Sequence, residues 1–249
     1  MSVIPSVFKS SATILAALVL AGCSQKFQTV QDTFSLALFG PEALEIDPSY
    51  VENLPYASMY VKNENGGTAL MVLGYADPLV ITNNTAVTAT VAETAMASSK
   101  GYRLKWLSAN QEMLITEFGR IVKTVNFGDG NITDSYSMHA DPIALGLLKP
   151  TTPKTWTRTL DWQPGNHIGY TLTSTFEFIG EALIVVNDKP VPALSYIEQV
   201  NAPELDMTFT NTFWLEPVTG RVIASEQIPA PGFPRYELTE LKRFSGVDN

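Results

Sequence analysis

Along most of the chain, apolar and polar residues alternate with a period of two, and short polar or glycine-bearing interruptions separate the alternating runs. Residues 207–215 give the clearest case: Met207, Phe209, Phe213 and Leu215 fall on one side, and Thr208, Thr210, Thr212 and Trp214 on the other. Asn211 is the polar exception on the apolar side, and Trp214 the aromatic exception on the threonine side. Side chains of a strand point alternately to opposite faces, so the pattern predicts a strand with one buried face. The same reading predicts strands at 56–61 and 68–73 around a hairpin turn at Asn65-Gly66-Gly67. A second group covers 102–107, 112–118 and 121–125, with turns at Asn110 and Gly119. A third covers 156–162, 167–178 and 182–186, with Pro164-Gly165-Asn166 reversing the chain, and the series ends with 194–199, 207–215, 221–227 and 236–241. Residues 216–220 fit a turn closed by Gly220 in a left-handed conformation. Roughly ten short strands joined by tight turns predict an all-β fold, mainly antiparallel, as a curved sheet, a sandwich or an incomplete barrel.

Three segments depart from the alternation. Phe27, Val30, Phe34, Ala37 and Leu38 recur at three- and four-residue spacing, which predicts a short helix stopped by Gly40-Pro41. Residues 83–99, rich in Ala and Thr and nearly uncharged, read as a loop or short helix inserted between hairpins. Residues 137–148 predict a short helix ahead of Pro150-Thr151-Thr152-Pro153, a break that could divide two sheets.

The start of the chain carries a different signal. Lys9 precedes an uncharged stretch at 12–20, which runs into Leu20-Ala21-Gly22-Cys23. These are the parts of a secretory signal, and the apolar stretch is shorter than the roughly 20 residues that a bilayer-spanning helix needs. Leu-Ala-Gly-Cys resembles the lipobox of bacterial lipoproteins at all four positions, and the chain's one cysteine stands where the lipid is attached. That resemblance implies cleavage before Cys23, thioether lipidation of its sulfur and acylation, for example by palmitate, of the new amino terminus. Ser24, rather than Asp, follows it, which implies delivery to the outer membrane with the protein on the periplasmic face. The expected organisation is a signal peptide at 1–22, a lipid anchor and N-terminal helix at 23–40, and a single β-rich periplasmic domain at 41–249.

Composition narrows the function classes. At 249 residues, 45% hydrophobic and 16% charged, the chain is long enough and apolar enough for a substantial core. A net charge of −9 argues against a surface that neutralises a nucleic-acid backbone. One cysteine excludes an internal disulfide. His139 and His167 have no second His or Cys at ligand spacing; Asp134 and Asp141 near His139 would make only a mixed site, and no metal is expected. Asp129-Gly130-Asn131 lacks the rest of a calcium-loop pattern. There is no G-x-S-x-G, and no G-x-G-x-x-G or phosphate loop, so no cofactor is expected. Asp161, Glu177, Glu181 and Asp188 are carboxylates on or beside strands, the raw material for glycoside hydrolysis if two of them faced each other. Trp106, Trp156, Trp162 and Trp214, with Tyr102, Tyr170, Tyr196 and Tyr236, suit a core or a sugar-stacking surface. Trp214, on the polar side of its strand, and Arg120, beside Gly119 in a tight turn of an acidic protein, are the candidate contacts for a glycan or a partner.

Several segments, taken in order, resemble the YjbF/GfcB family of bacterial lipoproteins linked to exopolysaccharide and group 4 capsule operons. They are Leu54-Pro55-Tyr56-Ala57-Ser58-Met59-Tyr60-Val61 and Ala69-Leu70-Met71-Val72-Leu73, followed by Trp106-Leu107-Ser108-Ala109 and Met113-Leu114-Ile115-Thr116. Gly119-Arg120-Ile121-Val122-Lys123-Thr124, Asn211-Thr212-Phe213-Trp214, Thr219-Gly220-Arg221-Val222 and Ser225-Glu226-Gln227 continue the series. Residues 83–99 stand out as extra length. The resemblance implies an outer-membrane lipoprotein that assists polysaccharide secretion or assembly, with no established catalytic mechanism; with no catalytic motif in the chain, the expectation is a non-enzymatic accessory factor whose partners are export proteins or the polysaccharide. A carrier of apolar ligands in a half-barrel cavity and a polysaccharide-modifying hydrolase are the alternatives.

Overall fold

The alternating runs form strands of one antiparallel sheet in the computed structural model, which describes residues 48–82, 85–88 and 99–246. In chain order the strands are β1 Ser58–Asn63, β2 Thr68–Thr82, β3 Thr85–Thr88, β4 Ser99–Leu107, β5 Met113–Glu117, β6 Arg120–Val125 and β7 Asn131–Tyr136. There follow β8 Thr155–Gln163, β9 His167–Val186, β10 Lys189–Ala202, β11 Met207–Leu215, β12 Val222–Gln227 and β13 Tyr236–Lys242. Two short helices, α1 Pro48–Asn53 and α2 Pro142–Leu145, and a 3₁₀ turn at Pro203–Leu205 complete the described elements. The expected signal peptide, Cys23 and the N-terminal helix lie outside the described residues.

The strand order is β6-β5-β4-β2-β1-β13-β12-β11-β10-β9-β8-β7, with β3 paired to β2. The two ends of that series, β6 and β7, follow each other in the chain, so the sheet curls until its first and last strands meet. Thr124 of β6 stitches the seam by accepting a hydrogen bond from the Ile132 amide of β7 at 3.0 Å. The result is a nearly closed barrel, the all-β class expected, and of the three forms left open it is the barrel that forms.

Four expectations need correction. The break at 150–153 does not divide two sheets, because β7 before it pairs directly with β8 after it. Thr85–Thr88, inside the stretch expected as a loop or short helix, is a strand paired with β2; Asn83, Asn84 and residues 89–98 of that stretch lie outside the described residues. The runs at 167–178 and 182–186 are one strand, which passes through Gly180 at φ +136°. Within 137–148 the helix is confined to α2, which Asp141 caps by accepting from the Ile143 amide at 2.9 Å.

Tight turns connect the strands where the chain tolerates positive φ. Asn187 and Asp188, at φ 49° and 59°, turn β9 into β10, and Phe118-Gly119, at φ 51° and 92°, turn β5 into β6. Gly130, at φ +130°, opens the seam strand β7; a Cβ there would lie 2.3 Å from the Gln163 carbonyl oxygen and 2.8 Å from the Phe233 ring. Gly130→Ala is therefore expected to cost at least ~2 kcal/mol through strain and overpacking. The urea midpoint should fall at unchanged m; a midpoint equal to wild type would show that the seam yields. The neighbouring Asp129 ties strands together, accepting from Asn63 and, at 3.2 Å, from the Tyr236 hydroxyl. Burial, and then that carboxylate, push the Tyr236 phenol up.

Side chains fill both halves of the interior. One cluster gathers Trp106, Leu114, Ile132, Leu160, Trp162 and Leu172; the other gathers Trp156, Phe176, Tyr196, Phe213 and Leu215.

Candidate functional site

Between the two apolar clusters lies a polar belt, built by a single break in the alternation of each strand. On β8 the inward side reads Trp156, Arg158, Leu160, Trp162; on β10 it reads Tyr196, Glu198, Val200. Ser174 takes the same level on β9, between Leu172 and Phe176, and Asn211 takes it on β11, between Phe209 and Phe213. Arg120 enters from the start of β6, on the other side of the seam from β7 and β8.

Glu198, with no exposed surface, is the hub. It accepts from Arg120 Nη1 at 2.8 Å, Arg158 Nη1 at 3.0 Å and Asn211 Nδ2 at 2.8 Å. Arg158 also donates to Ser174 at 2.9 Å, and Arg120 pairs with both oxygens of Asp141. Asn211 uses its own oxygen to accept from the Ile228 amide at 2.8 Å. Two guanidinium groups and two carboxylates leave the belt neutral in sum, as low-dielectric burial requires. The aromatic faces contribute too. Trp156 lies 4.8 Å from the Arg120 guanidinium carbon and 4.9 Å from that of Arg158, and Phe213 lies 5.2 Å from the former.

Burial opposes ionisation of every group in the belt, and pairing decides the outcome. Burial would raise the Glu198 carboxyl, but Arg120 and Arg158 outweigh it and hold the group at about 2. Burial would lower Arg120, but Asp141 and Glu198 carry it above its usual value; for Arg158 burial prevails, and Arg120 beside it adds to the lowering. Each charge is thus committed to a neighbour in the chain. The belt can fix geometry, but it offers no free group for acid–base or nucleophilic work.

What it fixes is the wall of a cleft. Asp141, held by Arg120, caps α2, and Gln227 of β12 donates to the Gly119 carbonyl at 2.8 Å while accepting from the Ile121 amide at 3.0 Å. The β5–β6 turn, α2, the start of β4, the β11–β12 turn and the chain after β13 border a cleft of about 430 Å³, which runs inward along β12 to Met59, Trp106 and Leu238. Phe118 reaches it from a left-handed backbone, a strained conformation for a bulky residue. Its ring has space because Gly101 opposite has no side chain: a Cβ there would lie 2.4 Å from the ring. Tyr102 and Phe244 meet edge to face beside it, at 5.0 Å between centroids. The charged residues of the lining are Lys149, Arg221, Arg243 and Glu240. Arg221 pairs with Glu240, whose carboxyl burial pushes up although Arg221 opposes it. Lys149 and Arg243 are exposed. A protein with a net charge of −9 thus has a cleft whose lining is cationic in excess.

The sequence-derived candidates fall as follows. Arg120 is no exposed turn cation: it is 3% exposed, and the carboxylates it grips are Glu198 and Asp141 of the chain itself. Trp214 is half-buried on the side of β11 opposite Phe213, in register with Ser195 and Ala224. Trp106, Trp156 and Trp162 are buried, with the Trp106 indole donating to Thr116 at 2.9 Å. His139 accepts from the Trp156 indole through its carbonyl, and His167 stacks on Trp162 at 4.5 Å, 5° from parallel. Asp161, near one end of β9, accepts from the Gly169 amide, and Asp188 turns the chain at the other end, with Glu177 and Glu181 spaced along the strand between them. Glu198, Arg158 and the cleft cations were not singled out from sequence. For the first two a signal existed: a charge at an inward position of a period-two run, of the same kind as Asn211.

Residues 31–241 match the family model described as "Group 4 capsule polysaccharide lipoprotein gfcB, YjbF". The chain belongs to the YjbF/GfcB family. Among its relatives is the uncharacterized lipoprotein GfcB of Escherichia coli K12, 30% identical over 227 residues, which covers 91% of this chain and 94% of the relative. The uncharacterized lipoprotein YjbF of the same organism is 27% identical over 231 residues, with the same coverage. The crystal structure of the hypothetical lipoprotein YmcC from E. coli K12 superposes with a TM-score of 0.67 at 26% identity, covering 89% of this chain and 97% of that one. The order of segments from Leu54 to Gln227, rather than any isolated motif, is what made this family legible in the YjbF/GfcB resemblance.

Proposed function

We propose that this YjbF/GfcB protein is a non-enzymatic accessory factor in exopolysaccharide or capsule secretion, held by acylated Cys23 at the periplasmic face of the outer membrane, and that its cleft contacts acidic polysaccharide. The observation that carries the reading is the division of labour among its charges. The belt residues are spent on one another, whereas Lys149 and Arg243 stand exposed beside Tyr102, Phe118 and Phe244. Aromatic faces suit the C–H face of a sugar ring, and cations suit its carboxylates. The family description, which names capsule polysaccharide, supports the same substrate class.

Two measurements test it. Deleting the gene in its native host should reduce the amount or the length of secreted polysaccharide; unchanged polysaccharide would refute the accessory role. Titrating the full chain carrying Cys23→Ala with a hexuronate oligosaccharide should give binding that Lys149→Glu/Arg243→Glu weakens roughly tenfold or more, since each lost charge contact is worth about a kcal/mol. A neutral glucan of the same length should bind less well. Equal affinity of the wild-type and charge-reversed proteins would remove the cleft from the proposal.

A further inference from the structure

Large apolar side chains that face solvent cluster on the β9–β10 hairpin: Leu183 is 74% exposed and Val185 67%, with Phe178 and Ile179 half-exposed at its base. The register explains the cluster. The inward side of β10 runs Val200, Glu198, Tyr196 and continues past the rim as Leu194, Pro192 and Pro190. A bulge at the level of Ser195 and Tyr196 shifts β9 by one residue, so that Leu183 faces Pro192 and Val185 faces Pro190. The side of the hairpin that is buried inside the barrel therefore emerges from it apolar except at the rim, where Glu181 faces Leu194. The opposite side is covered, with Ala193 and Ser195 buried and Ala182, Ile184 and Val186 half-buried.

The tip does not hang free. Asn187 donates to the Leu241 carbonyl at 3.1 Å, and Lys189 pairs with Glu52 of α1 at 3.2 Å. The chain that enters α1 comes from Cys23, about 25 residues earlier. We infer that the face made by Leu183, Val185, Pro190 and Pro192, with Phe178 and Ile179 at its base, rests in the phospholipid leaflet that holds the lipid of Cys23. The inference depends on the anchored reading above.

Three features favour lipid over a protein. The patch is aliphatic apart from Phe178 and contains no Trp, Tyr or Arg, the residues that carry most protein–protein binding energy. Leu, Val, Ile and Phe are the side chains that enter hydrocarbon favourably. Pro190 and Pro192 have no amide hydrogen, so this edge of β10 exposes fewer unpaired donors to a medium that cannot satisfy them, and it resists pairing with a second copy. Glu181 stands on this face at the rim, below Leu183, and Asp188 at the tip, so the attraction of the face is apolar, and salt should leave it unchanged.

The test places an environment-sensitive nitrobenzoxadiazole label on Val185→Cys in the full-length protein, with Thr175→Cys, an exposed site lower on the same strand, as control. The proteins are purified with their N-terminal lipid and reconstituted into phosphatidylethanolamine/phosphatidylcholine vesicles. Emission from position 185 should shift to the blue, be quenched by spin-labelled lipid and be shielded from iodide, while position 175 stays open to iodide. Equal access at both positions on acylated protein overturns the hairpin inference and leaves the anchor intact. A blue shift without vesicles that grows with protein concentration overturns it as well, because a second copy then covers the face. Intact mass reports acylation of Cys23 separately. If that is absent the anchored reading fails, and Cys23→Ala/Val185→Cys with added vesicles decides the hairpin on its own: a blue shift upholds membrane contact, and none ends it.

Discussion

Glu198→Gln is expected to lower the stability of the barrel by about 3–5 kcal/mol, the usual penalty for leaving buried charges without their counter-ion. Arg120 and Arg158 both direct Nη1 at this carboxylate, and neither is more than 4% exposed, so water cannot replace it. An amide could still accept one hydrogen bond, but it would place a donor near a guanidinium group, and Asn211 would lose its charged acceptor. Urea denaturation should show the loss, and the melting temperature should fall by roughly 10 °C or more for a domain of this size. Because these residues act as a unit, Arg158→Met in the Glu198→Gln background should cost less than it does alone. The hexuronate affinity of the cleft should fall too, because Arg120 holds Asp141 and thereby α2. A variant within about 1 kcal/mol of wild type would show that the belt is hydrated and dispensable.

Acid should act through the same group. The Glu198 carboxyl is held at about 2 in the folded barrel against an ordinary value of 4.5. A group with a depressed folded pKa contributes stability that is complete above its unfolded pKa and vanishes as pH falls through the folded one. Stability from Glu198 should therefore be level above about pH 5 and decline between about pH 4.5 and 2, by an amount on the order of 3 kcal/mol. The measurement is the stability gap between wild type and Glu198→Gln, followed from pH 7 to pH 2.5. It should be constant down to about pH 5 and then narrow. A gap that stays constant to pH 2.5 would mean that Glu198 is not the ionised hub.

Much of this molecule can be read from residue order alone. Period-two alternation placed the strands because one face of each is buried, and Gly119 and Gly220 marked turns because glycine accepts positive φ cheaply. Where local signals were weak, the reading failed locally. Thr85–Thr88 sits in a composition that also suits a loop, β7 begins in what looks like a loop, and Gly180 resembles a strand end although β9 runs through it. The order of the family segments needed no structure either.

Other features depended on residues far apart in sequence. That β6 and β7 meet, closing the sheet, follows from its accumulated curl, which no single run records. Arg120 read as a candidate contact for a glycan or a partner because it stands beside Gly119 in a tight turn; only the closed barrel sets it against Glu198, 78 residues away, and Trp156. Sequence determined which faces are apolar and where their polar exceptions stand. Tertiary structure decided which exceptions pair, because a buried charge takes its partner from whatever strand curvature brings within about 3 Å.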